Sequence, residues 1–178
     1  MKFEKFLKNC GARGTIVETN EGQFLKLANV FVKIPLGVNV LSALVMDSPD
    51  YIDHIFDDFD NGDLPKAELT AAMLPEPDAS PSKVLRIWSN EDKGTVNVNN
   101  KTFGIIERSD HAYTFSEDQD DAAAQDALVI TSGYGSEEQV TAIILSEQFY
   151  YDKLTEKENK KYGVLILQNL IKSFLPIK

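Results

Sequence analysis

The chain has few cysteines and histidines, and these shortages remove whole classes of site. Its single cysteine, Cys10, cannot form a disulfide within the chain and cannot supply a cysteine-rich zinc site. The two histidines, His54 and His111, are far apart in sequence and make a poor zinc site. Nothing in this composition calls for oxidising conditions, so we expect folding in the cytoplasm and Cys10 as a small buried hydrophobe.

Long apolar runs are also missing. The longest, such as residues 164–167, are far too short to cross a bilayer, and no membrane partner is expected. At the N-terminus, Lys2, Lys5 and Lys8 interrupt the apolar residues, so the start of the chain does not have the pattern of a signal peptide.

Basic residues are scarce in the middle of the chain. Residues 47–126 carry 19 acidic and 6 basic side chains, a net charge of −13, whereas the first 46 residues carry +3 and the last 52 are neutral. Because nucleic-acid binding requires a basic patch, the sequence predicts no nucleic-acid partner. A surface of this sign suits solubility, cations or a basic protein face.

The apolar fraction of 43% is enough for a packed core, and its patterning predicts an α+β fold that is mainly antiparallel β. Residues 1–74 form a predicted N-terminal lobe of a hairpin and short helices. Its predicted elements are a helix at 2–9, hairpin strands at 14–19 and 23–27, a strand at 30–34, a strand or helix at 38–46, a helix capped by Ser48 with Pro49 as its first residue, and a second short helix at 66–74.

A proline-rich connector at 75–82 is predicted to separate this lobe from a second one at 83–178. Short strands at roughly ten-residue spacing predict a small antiparallel sandwich or barrel there. The strands are expected at 84–88, 95–99, 103–107, 112–115, 128–131 and 139–145, with an acidic loop at 116–126. A capping box at Thr155 and Glu158 begins a predicted C-terminal helix that Pro176 ends.

The sharpest local motif lies between residues 56 and 73 and is similar to an EF-hand calcium loop. Such a loop needs oxygen ligands at fixed positions and a glycine at its sixth position, here Gly62. The candidate calcium ligands are Asp57, Asn61, Asp63 and Glu68.

Two residues depart from the EF-hand pattern, because Phe59 and Pro65 occupy positions that normally provide or orient ligands. The competing interpretation is an acidic helix–turn–helix with a solvated loop. A calcium-binding module is therefore an alternative, and no metal ligand or cofactor is assigned.

Two weaker patterns bear on catalysis. Asp78 followed by Glu91, Asp92 and Lys93 has the spacing of metal-dependent nucleases, but the second part falls in a predicted turn and its surroundings are acidic. A metal-dependent hydrolase is thus a third interpretation.

Asp110 precedes His111 and could orient it as in a catalytic pair, but no serine elbow or activated cysteine accompanies either histidine, so a surface or partly buried structural histidine is the favoured interpretation. We assign no catalytic residue and expect a protein that is not an enzyme.

Four segments resemble structural proteins of tailed bacteriophages. They are Asn-Cys-Gly-Ala-Arg-Gly-Thr-Ile at 9–16, Val-Lys-Ile-Pro at 32–35, Leu-Pro-Glu-Pro-Asp at 74–78 and Phe-Gly-Ile-Ile-Glu-Arg-Ser-Asp at 103–110. The resemblance implies a virion protein that decorates the head or is an auxiliary capsid component, without catalytic residues. It also implies partners among other virion proteins or copies of the same chain, and a location in the virion after folding in the host cytoplasm.

Overall fold

The structure, a computed structural model, describes residues 1–10, 13–40, 44–75, 84–92, 94–117 and 125–147. Outside these residues lie the predicted C-terminal helix, most of the predicted connector and the middle of the predicted acidic loop. The elements are α1 (Phe3–Cys10), β1 (Thr15–Thr19), β2 (Gly22–Leu27), β3 (Val30–Lys33), β4 (Val45–Asp47), α2 (Asp50–Asn61), β5 (Ala67–Pro75), β6 (Val84–Asn90), β7 (Thr95–Asn99), α3 (Asn100–Phe103), β8 (His111–Ser116), β9 (Asp126–Ser132) and β10 (Gln139–Leu145).

The strands form two sheets. A seven-stranded sheet has the order β4-β1-β2-β3-β10-β9-β8, and a three-stranded sheet has the order β5-β6-β7. Every neighbouring pair is antiparallel except β1 and β4, which run parallel. The predicted α+β fold with mainly antiparallel sheet and sandwich-like packing is confirmed.

Alternating side chains give the seven-stranded sheet two buried faces, as strand geometry requires. One face packs against the three-stranded sheet and α1; its core includes Leu25, Val30, Val32, Leu128, Ile130, Trp88, Val98 and Phe6. The other face packs against α2; its core includes Val17, Phe24, Phe31, Val129, Ile143, Ile52, Ile55 and Phe56. The large sheet is therefore the middle of three layers.

Strands from both predicted lobes share the large sheet. It takes β1 to β4 from the predicted N-terminal lobe and β8 to β10 from the predicted second lobe. The junction is the antiparallel pairing of β3 with β10, where Phe31 is opposite Ile143. The strands before and after the predicted connector at 75–82 therefore belong to one continuous sheet.

The predicted helix at 2–9, the hairpin at 14–27 and the strand at 30–34 are confirmed. The helix after Ser48 is also confirmed, but its start differs from the prediction. Asp50 is its first residue, Pro49 is in the N-cap position, and Ser48 Oγ donates to the carbonyl of Pro49 at 3.3 Å rather than capping the helix. Of the ambiguous stretch at 38–46, Val45 and Met46 belong to β4.

The predicted second helix at 66–74 is wrong, because these residues form β5. Alanine, glutamate, leucine and methionine are good helix formers, but helix propensity is a small energy and pairing with β6 overrides it. The Thr70 hydroxyl stabilises the irregular part of this strand by donating to the carbonyl of Ile87 at 3.0 Å and accepting from the N–H of Ala72.

The predicted strand at 103–107 is also wrong. The short helix α3 ends at Phe103 and turns follow it, while the Asn99 side chain caps its start by accepting from the N–H of Lys101 at 3.0 Å. The other five strands predicted between 84 and 145 are present as β6 to β10. Among the described residues, no helix is long and apolar enough to span a membrane.

Candidate functional site

The four candidate calcium ligands do not lie on a helix–loop–helix. Asp57 and Asn61 are residues of α2, one turn apart, and Asp63 follows the left-handed Gly62 that ends this helix. Glu68 belongs to β5, where it is opposite Ser89 of β6. An EF-hand needs its ligands on a loop between two helices, and here the second helix is replaced by a strand.

The two residues that break the EF-hand pattern have structural roles. Phe59 packs edge-on against Tyr113 of β8, with ring centroids 6.0 Å apart. The carbonyl of Pro65 accepts from the N–H of Thr114 at 3.0 Å, which fastens this loop to the edge of β8. Calcium binding at these residues stays an untested alternative. Among the described residues, no group of three or more His, Cys, Asp and Glu side chains is placed to hold a metal ion.

Glu91 and Asp92 of the nuclease-like pattern lie in the turn between β6 and β7, as predicted. Asp78 and Lys93 lie outside the described residues. Cys10 is buried, as predicted, and burial raises the pKa of its thiol to about 11. Its thiolate, the nucleophilic form, is therefore suppressed at neutral pH.

Asp110 does not hydrogen-bond to His111, which excludes the alternative of a catalytic pair. The Asp110 carboxylate accepts from Ser132 Oγ at 2.7 Å, from the N–H of Glu107 at 2.8 Å and from the amino group of Met1 at 2.9 Å. Because successive strand residues face opposite sides of a sheet, His111 points away from this cluster. The other histidine, His54, is exposed on α2, and its Nδ1 lies 3.6 Å from a Glu117 oxygen.

His111 instead belongs to a polar cluster centred on Glu138. A single Glu138 oxygen, Oε1, accepts from Tyr113 OH at 3.0 Å and from Thr131 Oγ1, and it lies 2.9 Å from His111 Nδ1. His111 and Tyr113 are on the same face of β8, and Thr131 is opposite His111 on β9. Glu138 precedes β10, so the cluster joins three strands at one end of the sheet.

The electrostatics of this cluster follow from burial and hydrogen bonding. Partial burial raises the pKa of Glu138, but the bonds from Thr131, His111 and Tyr113 outweigh it and hold that pKa below the ordinary glutamate value. Burial and the bond to Glu138 raise the pKa of Tyr113. A carboxylate only accepts, so His111 Nδ1 carries the proton between them.

The cluster adjoins an open groove of about 540 Å³ that includes Asp60, Lys66 and Ser136 among its lining residues. A carboxylate that fixes one imidazole nitrogen is an arrangement found in general bases. However, no serine or cysteine side chain in the described ranges hydrogen-bonds to His111. The contacts present fasten the loop at 133–138 to β8.

Exposed apolar side chains are concentrated elsewhere, between residues 36 and 46. Seven large apolar side chains are exposed in the described part of the chain, and five belong to this stretch, which we call the 36–46 segment. They are Leu36, Val38, Leu44, Val45 and Met46. Isolated apolar residues are normal on protein surfaces, whereas apolar side chains that form one patch are typical of an interaction surface, and Leu44, Val45 and Met46 are consecutive.

Val45 and Met46, the last residues of the 36–46 segment, belong to β4, an edge strand among the described strands of the large sheet. All three residues of β4 are exposed, and no described strand lies beyond it. The opposite edge, β8, is partly covered, because Thr114 is bonded to Pro65 and Tyr113 pairs with Lys66. Natural proteins usually protect exposed apolar edges, so an edge strand with exposed side chains and no described neighbour on one side is a candidate site for pairing with another chain.

Neither feature is predicted by the sequence. The cluster around Glu138 combines residues from three elements with no characteristic spacing. The apolar character of 38–46 was visible, but its position at a sheet edge depends on the strand order. Comparison with protein-family models, with curated proteins and with solved structures finds no match for this chain.

Proposed function

We propose that the chain is a non-enzymatic structural protein that binds other proteins as a head-decoration or auxiliary capsid component of a tailed-phage virion. The observation that carries the proposal is the exposure of three consecutive apolar side chains, Leu44, Val45 and Met46, at β4, which is an edge strand among the described strands. Burying such side chains against a partner contributes roughly 25 cal/mol for each Å² removed from water.

The assignment to a virion is supported by the resemblance of residues 9–16, 32–35, 74–78 and 103–110 to structural proteins of tailed phages. The acidic surface is compatible with this role, because α2 carries five aspartates and no lysine or arginine. An acidic face of this kind remains in solvent or meets a basic neighbour. The partners proposed are other virion proteins or further copies of the chain.

The test uses tailed-phage particles from the source of this gene, with and without the gene intact. We expect mass spectrometry to find the chain in purified particles that carry the gene. Particles lacking it are then incubated with purified protein and sedimented, and we expect the wild type to sediment with them. Absence of the chain from purified particles contradicts the proposal.

Two variants locate the contact. Leu36→Asp combined with Val45→Asp places charge in the 36–46 segment, and we expect this protein to stay in the supernatant. Tyr134→Asp is the matched control, because Tyr134 is also apolar and 73% exposed but lies in the loop between β9 and β10. Equal sedimentation of both variants would exclude the 36–46 segment as the contact.

A further inference from the structure

The backbone of β4 is arranged to receive another strand. Val45 is opposite Ile16 in the parallel ladder with β1, and the N–H of Ile16 donates to the carbonyl of Leu44 at 3.0 Å. In a parallel ladder of this register, the carbonyl of Leu44 and the N–H of Met46 face β1. The N–H and carbonyl of Val45 and of Asp47 therefore point away from β1, toward the side where no described strand lies.

The side chains of β4 make both faces of this edge apolar. Val45 is on the same face as Ile16, and Met46 is on the opposite face with Val17. Val45 is 58% exposed and Met46 is 37% exposed, whereas Ile16 and Val17 are buried. An added strand would cover Val45 with one side chain and Met46 with the next.

The end of this edge is acidic. Asp47 is opposite Glu18 of β1, so two exposed carboxylates face each other on the same side of the sheet. Like charges at such positions repel. In the described ranges, neither carboxylate has a lysine or arginine within ion-pair distance, and the Glu18 side chain accepts only from Gln23 Nε2, at 3.0 Å. A basic side chain from an added strand would relieve this repulsion.

We propose that the β4 edge binds an extended segment of another protein, which adds to the large sheet as an eighth strand. The segment has apolar residues opposite Val45 and Met46 and a lysine or arginine opposite Asp47. Backbone hydrogen bonds to Val45 and Asp47 supply affinity, and the side chains supply specificity. The inference rests on the proposed function in that it requires the chain to be an interaction protein.

The charge pattern favours this partner over a second copy of the same edge. β4 itself contains no basic residue, and pairing two copies would bring more carboxylates to an edge that already holds Glu18 and Asp47. The net charge of −10 on each copy also opposes self-association. A basic segment with apolar residues matches both the charge and the apolar faces.

The probe is a fluorescein-labelled peptide Ser-Lys-Val-Leu-Val-Lys-Ser, whose palindromic core fits β4 in either direction. Its control is the same peptide with glutamates in place of the lysines. Fluorescence anisotropy is measured with the full chain at low and high salt. We expect the lysine peptide to bind more tightly than the glutamate peptide, with a difference that salt reduces.

Val45→Pro tests the backbone contact, because it removes the outward N–H while leaving the groups of Leu44 and Met46 that face β1. Val45→Ala is the matched variant that shortens the side chain but keeps the N–H. We expect the proline variant to bind the lysine peptide about fivefold to tenfold more weakly than the alanine variant. Circular dichroism spectra and melting temperatures confirm that both are folded.

Asp47→Lys tests the charge contact, with Glu137→Lys as a control of the same charge change that lies beyond three intervening strands. We expect Asp47→Lys to reverse the preference to the glutamate peptide and Glu137→Lys to leave it unchanged. Absence of lysine-peptide binding to folded wild type, or equal effects of both substitutions, overturns the β4 inference alone. Absence of the chain from phage particles instead overturns the proposed function and leaves the peptide result standing.

Discussion

Glu138 is the residue whose surroundings define its role most clearly. Three side chains from β8 and β9 direct hydrogen-bond donors at one of its oxygens, and its side chain is partly buried beside them. Hydrogen bonds to a charged acceptor contribute more than bonds between neutral groups. The cluster therefore fastens the start of β10 to β8, and its strength depends on ionisation of Glu138.

We expect Glu138→Gln to lower the free energy of unfolding at pH 7 by about 1–3 kcal/mol. Because the folded pKa of Glu138 is below its unfolded value, the charged form contributes stability above the ordinary glutamate pKa of about 4.3. That contribution is lost as the pH falls through the folded pKa. Urea unfolding at a series of pH values should therefore show a difference between wild type and variant that is full near neutrality and shrinks in acid.

Glu137→Gln is the control for this experiment, because Glu137 is exposed and loses the same charge. Its effect should be small at every pH. A difference for Glu138→Gln that persists unchanged well below the folded pKa would show that shape, rather than charge, gives this side chain its effect.

At the scale of elements, the hairpin of β9 and β10 depends on two glycines with different constraints. Gly133 has φ +105°, and a Cβ there would collide with the carbonyl oxygen of Glu137. Gly135 has φ +59°, and a Cβ there would meet no atom within 4 Å. A side chain at Gly133 is disfavoured both by lack of space and by the positive φ, whereas at Gly135 it is disfavoured by the positive φ alone.

We expect Gly133→Ala to destabilise the protein by about 3 kcal/mol or more, and Gly135→Ala by only about 1 kcal/mol. Urea denaturation of the two variants beside the wild type measures both costs under identical conditions. Equal costs would mean that the loop moves readily away from Glu137, against the close approach that the structure shows.

The sequence predicts well those elements whose conformation is determined by residues close to them in the chain. The turn at Asn20, Glu21 and Gly22 lies between two short strand-forming runs, so the first hairpin was visible. The helical spacing of Ile52, Ile55 and Phe56 predicted α2 in the same way.

Elements that depend on distant residues were not predicted. Residues 67–75 have helix-forming composition and become a strand only because β6 pairs with them. The same limit applies to the sites, because the edge position of β4 and the convergence on Glu138 arise from sheet order and not from spacing along the chain.

At the scale of the whole molecule, the strand conformation of β5 determines how the candidate calcium ligands are arranged. Asp57 and Asn61 are fixed on α2 while Glu68 is fixed on β5, so these residues are not arranged as an EF-hand. We expect the melting temperature to be the same in calcium and in chelator, measured by circular dichroism. A ligand that binds only the folded state would raise it.

Glu68→Ala provides the decisive comparison for that measurement. A calcium-dependent rise in the wild type that disappears in this variant would establish the calcium-binding alternative. A rise that both proteins share would indicate cation binding elsewhere on the acidic surface.

The pairing of β3 with β10 also determines when, during synthesis of the chain, the large sheet can form completely. Phe31 finds its partner only once Ile143 has been translated, so the middle of the large sheet closes late. Such long-range pairing gives a high contact order and slow folding. Until β10 emerges from the ribosome, the Val-Phe-Val run of β3 lacks its β10 partner and is an apolar edge open to mispairing.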